Sequence, residues 1–182
     1  VPILTGTRVS AIRGRARVEA VDLVGLASGA GRTIACDTVV FTGEWIPEPE
    51  LARRGGLDVD AASRAPVVDQ SGRTSARGVF AAGNLVHAAE TADVAALGGR
   101  GVARSITEFL SSGGWAANTI PVVCQQPLRW VTPSRLDVGA EPPAHFLLRI
   151  GEFRERANLL VAQGERVLWS ERRRVLVPNR SI

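Results

Sequence analysis

Apolar and polar positions alternate through the first forty residues. "TRVSAIRG", "ARVEAVDLVG" and "RTIACDTVVFT" are rich in β-formers and separated by glycine-containing turns, which predicts consecutive strands over residues 8–42. In the middle segment Val18, Ala20, Leu23 and Val24 form the expected buried face, with Glu19 and Asp22 outward. "DTVVFTG" differs. It is a compact apolar run closed by Gly43, the pattern of a parallel strand buried on both faces. "EWIPEPELARRGG" follows as a connection, with two prolines and then a short helix that stops at Gly55 and Gly56. "APVVDQSGRT" and "GVFAAG" are two further strand candidates.

The clearest helix spans residues 91–111. Val94, Gly98, Val102, Ile106 and Phe109 recur at helical spacing on one face. Thr91 is placed to cap its start, and Asp93 complements the positive end of the helix dipole. Gly98, Gly99 and Gly101 each weaken a helix by roughly 1 kcal/mol relative to Ala; close approach to a neighbouring backbone is the expected compensation. Gly113 and Gly114 end the helix. From Thr119 onward "IPVVC", "LRWV", "HFLLRI", "ANLLVAQ", "RVLWS" and "RVLVP" read as strands, although "EFRERANLL" also fits a short turn of helix. Three segments result: residues 1–44, 45–118 and a β-rich unit, 119–182.

Composition narrows the chemistry. All 22 basic residues are Arg, with no Lys and no Tyr, so lysine Schiff bases, a P-loop lysine and a tyrosine acid are absent. The net charge of +4 raises the question of nucleic acid. In the densest basic stretch, "ERRRVLVPNR", the arginines mix with Glu171 and have only Trp169 near enough to stack. That pattern fits a solvated strand face or a subunit contact, and nucleic-acid binding is disfavoured. No apolar run approaches the roughly 20 residues of a membrane span. Val1 stands where an initiating Met would, so this end is read as a processing or truncation boundary; no leader pattern of basic then apolar residues follows it. Two cysteines, Cys36 and Cys124, lie outside any CxxC, and with His87 and His145 they are too few and scattered for a structural metal. A Cys36–Cys124 disulfide and two simply buried thiols both remain open, and a cytoplasmic setting is the expectation.

The unit that carries chemistry is strand, Gly-Asn, loop, helix: "GVFAAGNLVHAAETADVAALGGRGVA". It brings a polar side chain to the end of a strand and aims a helix N-terminus at the same region, an arrangement suited to a ligand with negative charge. An ordinary βα unit without a ligand has the same spacing. Here "TSARGVFAAGN" resembles the C-terminal flavin motif of pyridine nucleotide-disulfide oxidoreductase-type flavoproteins, T-x-x-x-G-[VI]-[FY]-A-x-G-D. "DTVVFTGEWIPEPEL" is similar to the stretch where that family's chain passes from the NAD(P) domain back into the FAD domain, and residues 8–36 resemble the β-meander completing the NAD(P) domain. The resemblance implies a fold that is α/β plus β: a partial FAD/NAD(P)-binding, Rossmann-like fold with a β-rich C-terminal unit. It makes residues 1–44 the end of the NAD(P)-binding domain and 45–118 the C-terminal piece of the FAD-binding domain. It further implies Gly83, Asn84, Thr91, Ala92, Asp93 and Val94 as cofactor-binding residues, with Asn84 on the flavin ribityl chain and the N–H groups of Ala92, Asp93 and Val94 toward the flavin pyrimidine edge. Most of the family has Asp where this chain has Asn84; Asn accepts the same bond but is neutral and also donates.

A narrower similarity lies in "GN-x-x-H" followed by acidic residues and a β-rich tail, which looks like the branch associated with glycerol-3-phosphate dehydrogenases and with amine- or opine-oxidising subunits. His87 is then either a proton relay at the flavin face or a loop histidine with a structural hydrogen bond. No Gly-rich dinucleotide fingerprint occurs, since "GLASGAG" is followed by turn and strand instead of helix. The chain therefore looks like the C-terminal portion of an FAD- and NAD(P)-dependent oxidoreductase, inactive alone, with no catalytic residue assigned. In the parent, hydride or electrons would pass between NAD(P), flavin and a small-molecule substrate. Expected partners are the N-terminal FAD/NAD(P) portion or a partner subunit, and half a doubly wound sheet also invites homo-oligomers. The alternative is a non-catalytic interaction module in which the β-rich tail with its Arg-rich end docks a partner, anchored by exposed residues such as Trp130, Trp169 and Arg174.

Overall fold

The computed structural model describes residues 2–41, 46–88, 90–178, 180 and 182. The chain divides into two compact units, Val1–Gly43 and Glu44–Ile182.

The first unit is an antiparallel meander, β1 (Thr7–Arg13), β2 (Ala20–Gly25) and β3 (Gly31–Ala35), with β2 in the centre. Successive side chains of a strand point to opposite faces. Val21 and Leu23 accordingly form the buried face of β2, while Ala20, Asp22 and Val24 share the other. The sequence places Asp22 correctly but puts Ala20 and Val24 on the buried face. Asp22 ties all three strands together, accepting hydrogen bonds from Arg13 Nε on β1 (2.6 Å) and Thr33 Oγ1 on β3 (2.7 Å). Those two bonds, Arg13 first, hold its carboxyl below the usual range.

The predicted parallel strand at "DTVVFTG" does not form over residues 37–41, where Val40 is 79% and Phe41 71% exposed. A strand buried on both faces needs neighbours to supply its hydrogen bonds and cover its side chains, and the described residues hold none beside it. Thr42 and Gly43 lie outside the described residues.

In the second unit α1 (Glu50–Arg54) is the short helix expected, with Arg53 and Arg54 both paired to Glu50, and it stops at Gly55 and Gly56. The two strand candidates that follow are reduced to isolated antiparallel bridges, Val59 to Pro66 and Arg73 to Phe80. What holds this stretch is a tight turn. Asp69 Oδ1 accepts the N–H groups of Ser71 (2.9 Å) and Arg73 (3.0 Å), and Ala81 N–H donates to the Gly72 carbonyl (2.9 Å). Val68, Ala81 and Val86 form the small core above it.

The long helix, α2 (Ala92–Ser112), ends on Gly113 in the left-handed conformation (φ 67°), whose N–H donates to the Phe109 carbonyl. Val94, Gly98, Val102 and Phe109 are partly buried as predicted. Ser105 is buried in place of Ile106, which is exposed. A 94-98-102-105-109 stripe follows the 3.6-residue repeat more closely than one through position 106. Phe80, Phe109 and Trp115 close the far end as three edge-to-face pairs with centroids 5.3–5.8 Å apart.

Six strands follow: β4 (Thr119–Pro121), β5 (Leu128–Thr132), β6 (Arg135–Asp137), β7 (Leu147–Ile150), β8 (Arg154–Gln163) and β9 (Arg166–Leu176). They pair antiparallel as β4–β6, β5–β7 and β8–β9. "EFRERANLL" contributes to β8, so its helical alternative is overturned. Pairing of Leu159 with Glu171 and Val161 with Trp169 favours the extended form. Ile150, Leu159 and Leu176 make the core of this region. Cys36 and Cys124 are half-buried free thiols, one in each unit.

Candidate functional site

The chain enters the Gly-Asn turn extended, at Ala82, and reverses at Gly83 (φ 66°) into a 3₁₀ turn, Gly83–Leu85. Val86 N–H closes it on the Gly83 carbonyl at 3.0 Å. The turn sits on the first turns of α2. A Cβ on Gly83 would lie 3.9 Å from the Ala95 methyl carbon, and one on Gly98 would lie 4.0 Å from the Gly83 nitrogen and 3.9 Å from His87 Nε2. The expected close approach is not found at Gly99 and Gly101, which have nothing within 4 Å of a Cβ, and at Gly98 the contacts are ordinary van der Waals ones, so the helix cost of these glycines has no packing compensation among the described residues.

Asn84 is exposed at the tip of this turn. Its Oδ1 accepts a hydrogen bond from Glu90 N–H at 3.2 Å, a bond that spans the loop and joins the Asn to the residue before the helix cap. Thr91, Ala92 and Asp93 are exposed and Val94 is half-buried, so the six predicted positions fall on the Gly-Asn turn and the adjoining first turn of α2. Capping differs from expectation. Thr91 has the extended backbone of an N-cap but makes no side-chain capping bond. The carboxyl of Asp93 lies below its usual range, held there by the Thr91 hydroxyl first and then by the backbone N–H groups of Asp93 and Val94. A negative charge already rests on amides that favour an anion.

His87 is almost fully buried (5% exposed) and faces Gly98. Burial is the largest influence on its imidazole and pushes the pKa down; the Glu90 carboxylate opposes that, while His145 and Arg149 add to it. The ring is therefore neutral at neutral pH. Its Nδ1 finds no hydrogen-bond partner among the described residues. Asn84 and His87, three residues apart in sequence, thus differ in exposure: one is open to solvent and the other packed inside.

Two residues that sequence reasoning passes over complete the site. Arg149 on β7 is 6% exposed, and its Nη2 donates to the Ala88 carbonyl (2.9 Å) and to Glu90 Oε1 (3.2 Å). The signal was present, since an Arg inside the apolar strand "HFLLRI" is a charge that needs a partner. Among the described residues no group of three or more His, Cys, Asp or Glu could hold a metal ion, and no helix is long and apolar enough to cross a membrane.

Together with the family match and structural neighbour that follow, the meander, the Gly-Asn turn beside a long helix and the small antiparallel sheets after it make up a partial FAD/NAD(P)-binding, Rossmann-like fold with a β-rich portion. Residues 1–99 match the model for "Pyridine nucleotide-disulphide oxidoreductase". The chain belongs to the pyridine nucleotide-disulphide oxidoreductase family, whose members bind FAD and NAD(P). It is similar in structure to the thioredoxin reductase of T. acidophilum, at 27% identity and a TM-score of 0.53, over 62% of this chain and 37% of that one. Two further thioredoxin reductases match with lower structural agreement. That of Giardia duodenalis has 26% identity, coverage of 60% and 37%, and a TM-score of 0.38; that of Gloeobacter violaceus has 27%, 58% and 33%, and 0.35. The chain thus spans 33–37% of the length of these reductases. No curated protein matches it.

Proposed function

We propose that this chain is the C-terminal portion of an FAD-dependent, NAD(P)-linked oxidoreductase, and that its part is to contact the flavin through Asn84 and the first turn of α2. The observation that carries the reading is the exposed Asn84 carboxamide beside the exposed start of a 21-residue helix, with the Gly83–Leu85 turn lying against that helix near Ala95 and Gly98. These residues fit the group. A carboxamide accepts from and donates to hydroxyl groups of the ribityl kind, and a helix start favours the negative charge a flavin gains on reduction. Gly83 and Asn84 would hold the ribityl side, and Thr91, Ala92, Asp93 and Val94 the ring edge. When bound, FAD supplies the hydride and electron chemistry that links NAD(P) to a small substrate.

The chain's own residues orient the cofactor. They do not grip its phosphates, because no Gly-rich fingerprint is present. The partner required is the polypeptide segment or subunit that carries that fingerprint. Neither Cys36 nor Cys124 lies in a CxxC, so a reactive disulfide of the reductase type would also come from outside this chain. The two free thiols support a reducing, cytoplasmic setting. The narrower likeness to the glycerol-3-phosphate-dehydrogenase-associated, amine- or opine-oxidising branch rests on the sequence spacing of Asn84 and His87 and a β-rich tail alone, and the family match and the thioredoxin reductase neighbour do not support it.

An FAD titration followed by visible absorbance tests the proposal. The 182-residue chain is expected to bind little or no flavin. The natural polypeptide that includes the fingerprint is expected to bind one equivalent and to be bleached by NADH or NADPH. Stoichiometric binding by this chain alone would refute its fragmentary role, and a colourless longer protein would refute the flavin reading itself.

A further inference from the structure

We infer that Arg149 is a positioning residue for the proposed flavin contact, through which the β-rich C-terminal strands fix the orientation of Asn84. The inference deepens the flavin reading and rests on it. Arg149 and Glu90 form a buried ion pair, their side chains 7% and 6% exposed. Charges this far from water are tolerated only when paired and hydrogen-bonded, so the two residues are strongly committed to one arrangement. The guanidinium is fixed from the strand side as well. Arg149 sits directly opposite Trp130 in the β5–β7 pair, and its guanidinium lies 5.5 Å from the centroid of the Trp130 ring, which is itself buried and so is not the exposed docking anchor expected from the sequence.

From that anchored position Arg149 holds the loop at two points, the Ala88 carbonyl and the Glu90 carboxylate. Glu90 in turn presents its backbone N–H to Asn84 Oδ1. A backbone N–H donates only, so the carboxamide must turn its oxygen toward Glu90 and its Nδ2 donors elsewhere. An Asp at position 84 would satisfy Glu90 with either oxygen, whereas Asn is held in one orientation. The chain of contacts runs from Trp130 through Arg149 and Glu90 to Asn84, and it crosses from the β-rich strands to the Gly-Asn turn over 59 residues of sequence between Glu90 and Arg149.

The first measurement needs no flavin. Amide exchange followed by NMR on the ¹⁵N-labelled 182-residue chain reads the Glu90 N–H directly. Arg149→Ala is expected to speed exchange of that amide about ten-fold, the equivalent of one hydrogen bond near a charge, with the amides of Val102 and Phe109 in α2 little changed. Glu90→Gln keeps an acceptor of the same shape and loses the charge, and a smaller acceleration is expected. The second measurement uses the longer FAD-binding polypeptide. There Arg149→Ala is expected to shift the visible flavin spectrum and weaken FAD binding several-fold, and Arg149→Lys to recover part of both. Unchanged Glu90 exchange in both variants overturns the inference. So does an acceleration matched throughout α2 in both, which is general destabilisation, and so does a Glu90 response with no change at the flavin. A wild-type longer protein that binds no FAD defeats the flavin reading and this inference together, whereas normal FAD binding with an indifferent Arg149→Ala defeats the inference alone.

Discussion

Replacing Gly72 with alanine is expected to lower the stability of the Glu44–Ile182 unit by about 3 kcal/mol. Two independent costs add. Gly72 has φ of 73°, where any residue with a Cβ pays roughly 1–2 kcal/mol. The new Cβ would also stand 2.4 Å from Val102 Cγ2 and 3.0 Å from the Ala81 carbonyl oxygen. Neither neighbour yields readily. Val102 is β-branched and held in α2, and the Ala81 residue is tied to Gly72 by its own N–H. Overpacking of that kind costs roughly 1–3 kcal/mol. Gly56 provides the control, since it has nearly the same φ (72°) but nothing within 4 Å of a Cβ. Gly56→Ala should cost only the backbone part, about 1–2 kcal/mol. Urea unfolding of both variants separates the two costs, and equal losses would show that the contact with Val102 contributes nothing. The site depends on this contact because Val102 sets where α2 lies against the 69–73 turn.

Asp137→Ala is expected to be at least as costly, at about 3–5 kcal/mol, because it strands a buried cation. Arg73 Nη1 lies 2.9 Å from Asp137 Oδ2 and 3.7 Å from Asp69 Oδ2, and the three side chains are 13%, 12% and 0% exposed. Arg73 Nε already lacks a partner among the described residues, and the carboxylate oxygen that would remain beside it, Asp69 Oδ2, stands at 3.7 Å from Nη1, too far for a hydrogen bond. The backbone of Asp137 is engaged as well. Its N–H donates to Gln70 Oε1 (2.9 Å), and its carbonyl accepts from Gln70 Nε2 (2.8 Å). Those bonds survive the substitution, so the loss is that of the side chain: the Arg73 contact and the Gly139 N–H that Asp137 Oδ1 accepts at 3.1 Å. Asp137→Asn keeps a neutral acceptor for Arg73 and should lose markedly less. Chemical denaturation of the pair measures the difference, and an Asp137→Ala variant as stable as Asp137→Asn would mean that the charge pair is dispensable.

How much of this was legible in the sequence varies with the range of the interaction. The meander and α2 were, because strand alternation and helical spacing are local patterns, and the caps at Thr91 and Gly113 mark the helix ends within a residue. Gly98 was legible too. It lies on the face of α2 that meets the Gly-Asn turn, as its helical spacing predicts, but a Cβ there would stand 4.0 Å from the Gly83 nitrogen, so the spacing was legible and the close approach expected of the glycines was not realised. The parallel strand was not, since the apolar pattern of "DTVVFTG" records a burial that the described residues do not provide. Ser105 was missed because a small polar side chain carries no periodic signal when it is buried beside a long apolar neighbour such as Ile106. The largest gap concerns the site itself. Asn84 and the start of α2 could be read from local spacing, but the buried pair that holds them joins Glu90 to Arg149 on a strand of the β-rich unit. Local patterning contains no information on a contact that distant; only the charge in an apolar strand hinted at it.

The flavin reading at Asn84 is most directly tested by the flavin midpoint potential of the FAD-loaded longer polypeptide, compared with its Asn84→Asp variant. Asn84 is exposed and accepts the Glu90 N–H, a bond an aspartate oxygen can also make, so the substitution changes charge with little change in structure. A unit charge about 4 Å from another in water-like surroundings interacts by about 1 kcal/mol, which corresponds to about 40 mV per electron. Added negative charge beside a flavin that becomes anionic on reduction must disfavour that reduction. The predicted result is a midpoint potential lowered by tens of millivolts; an unchanged or raised potential would contradict the placement of Asn84 at the flavin.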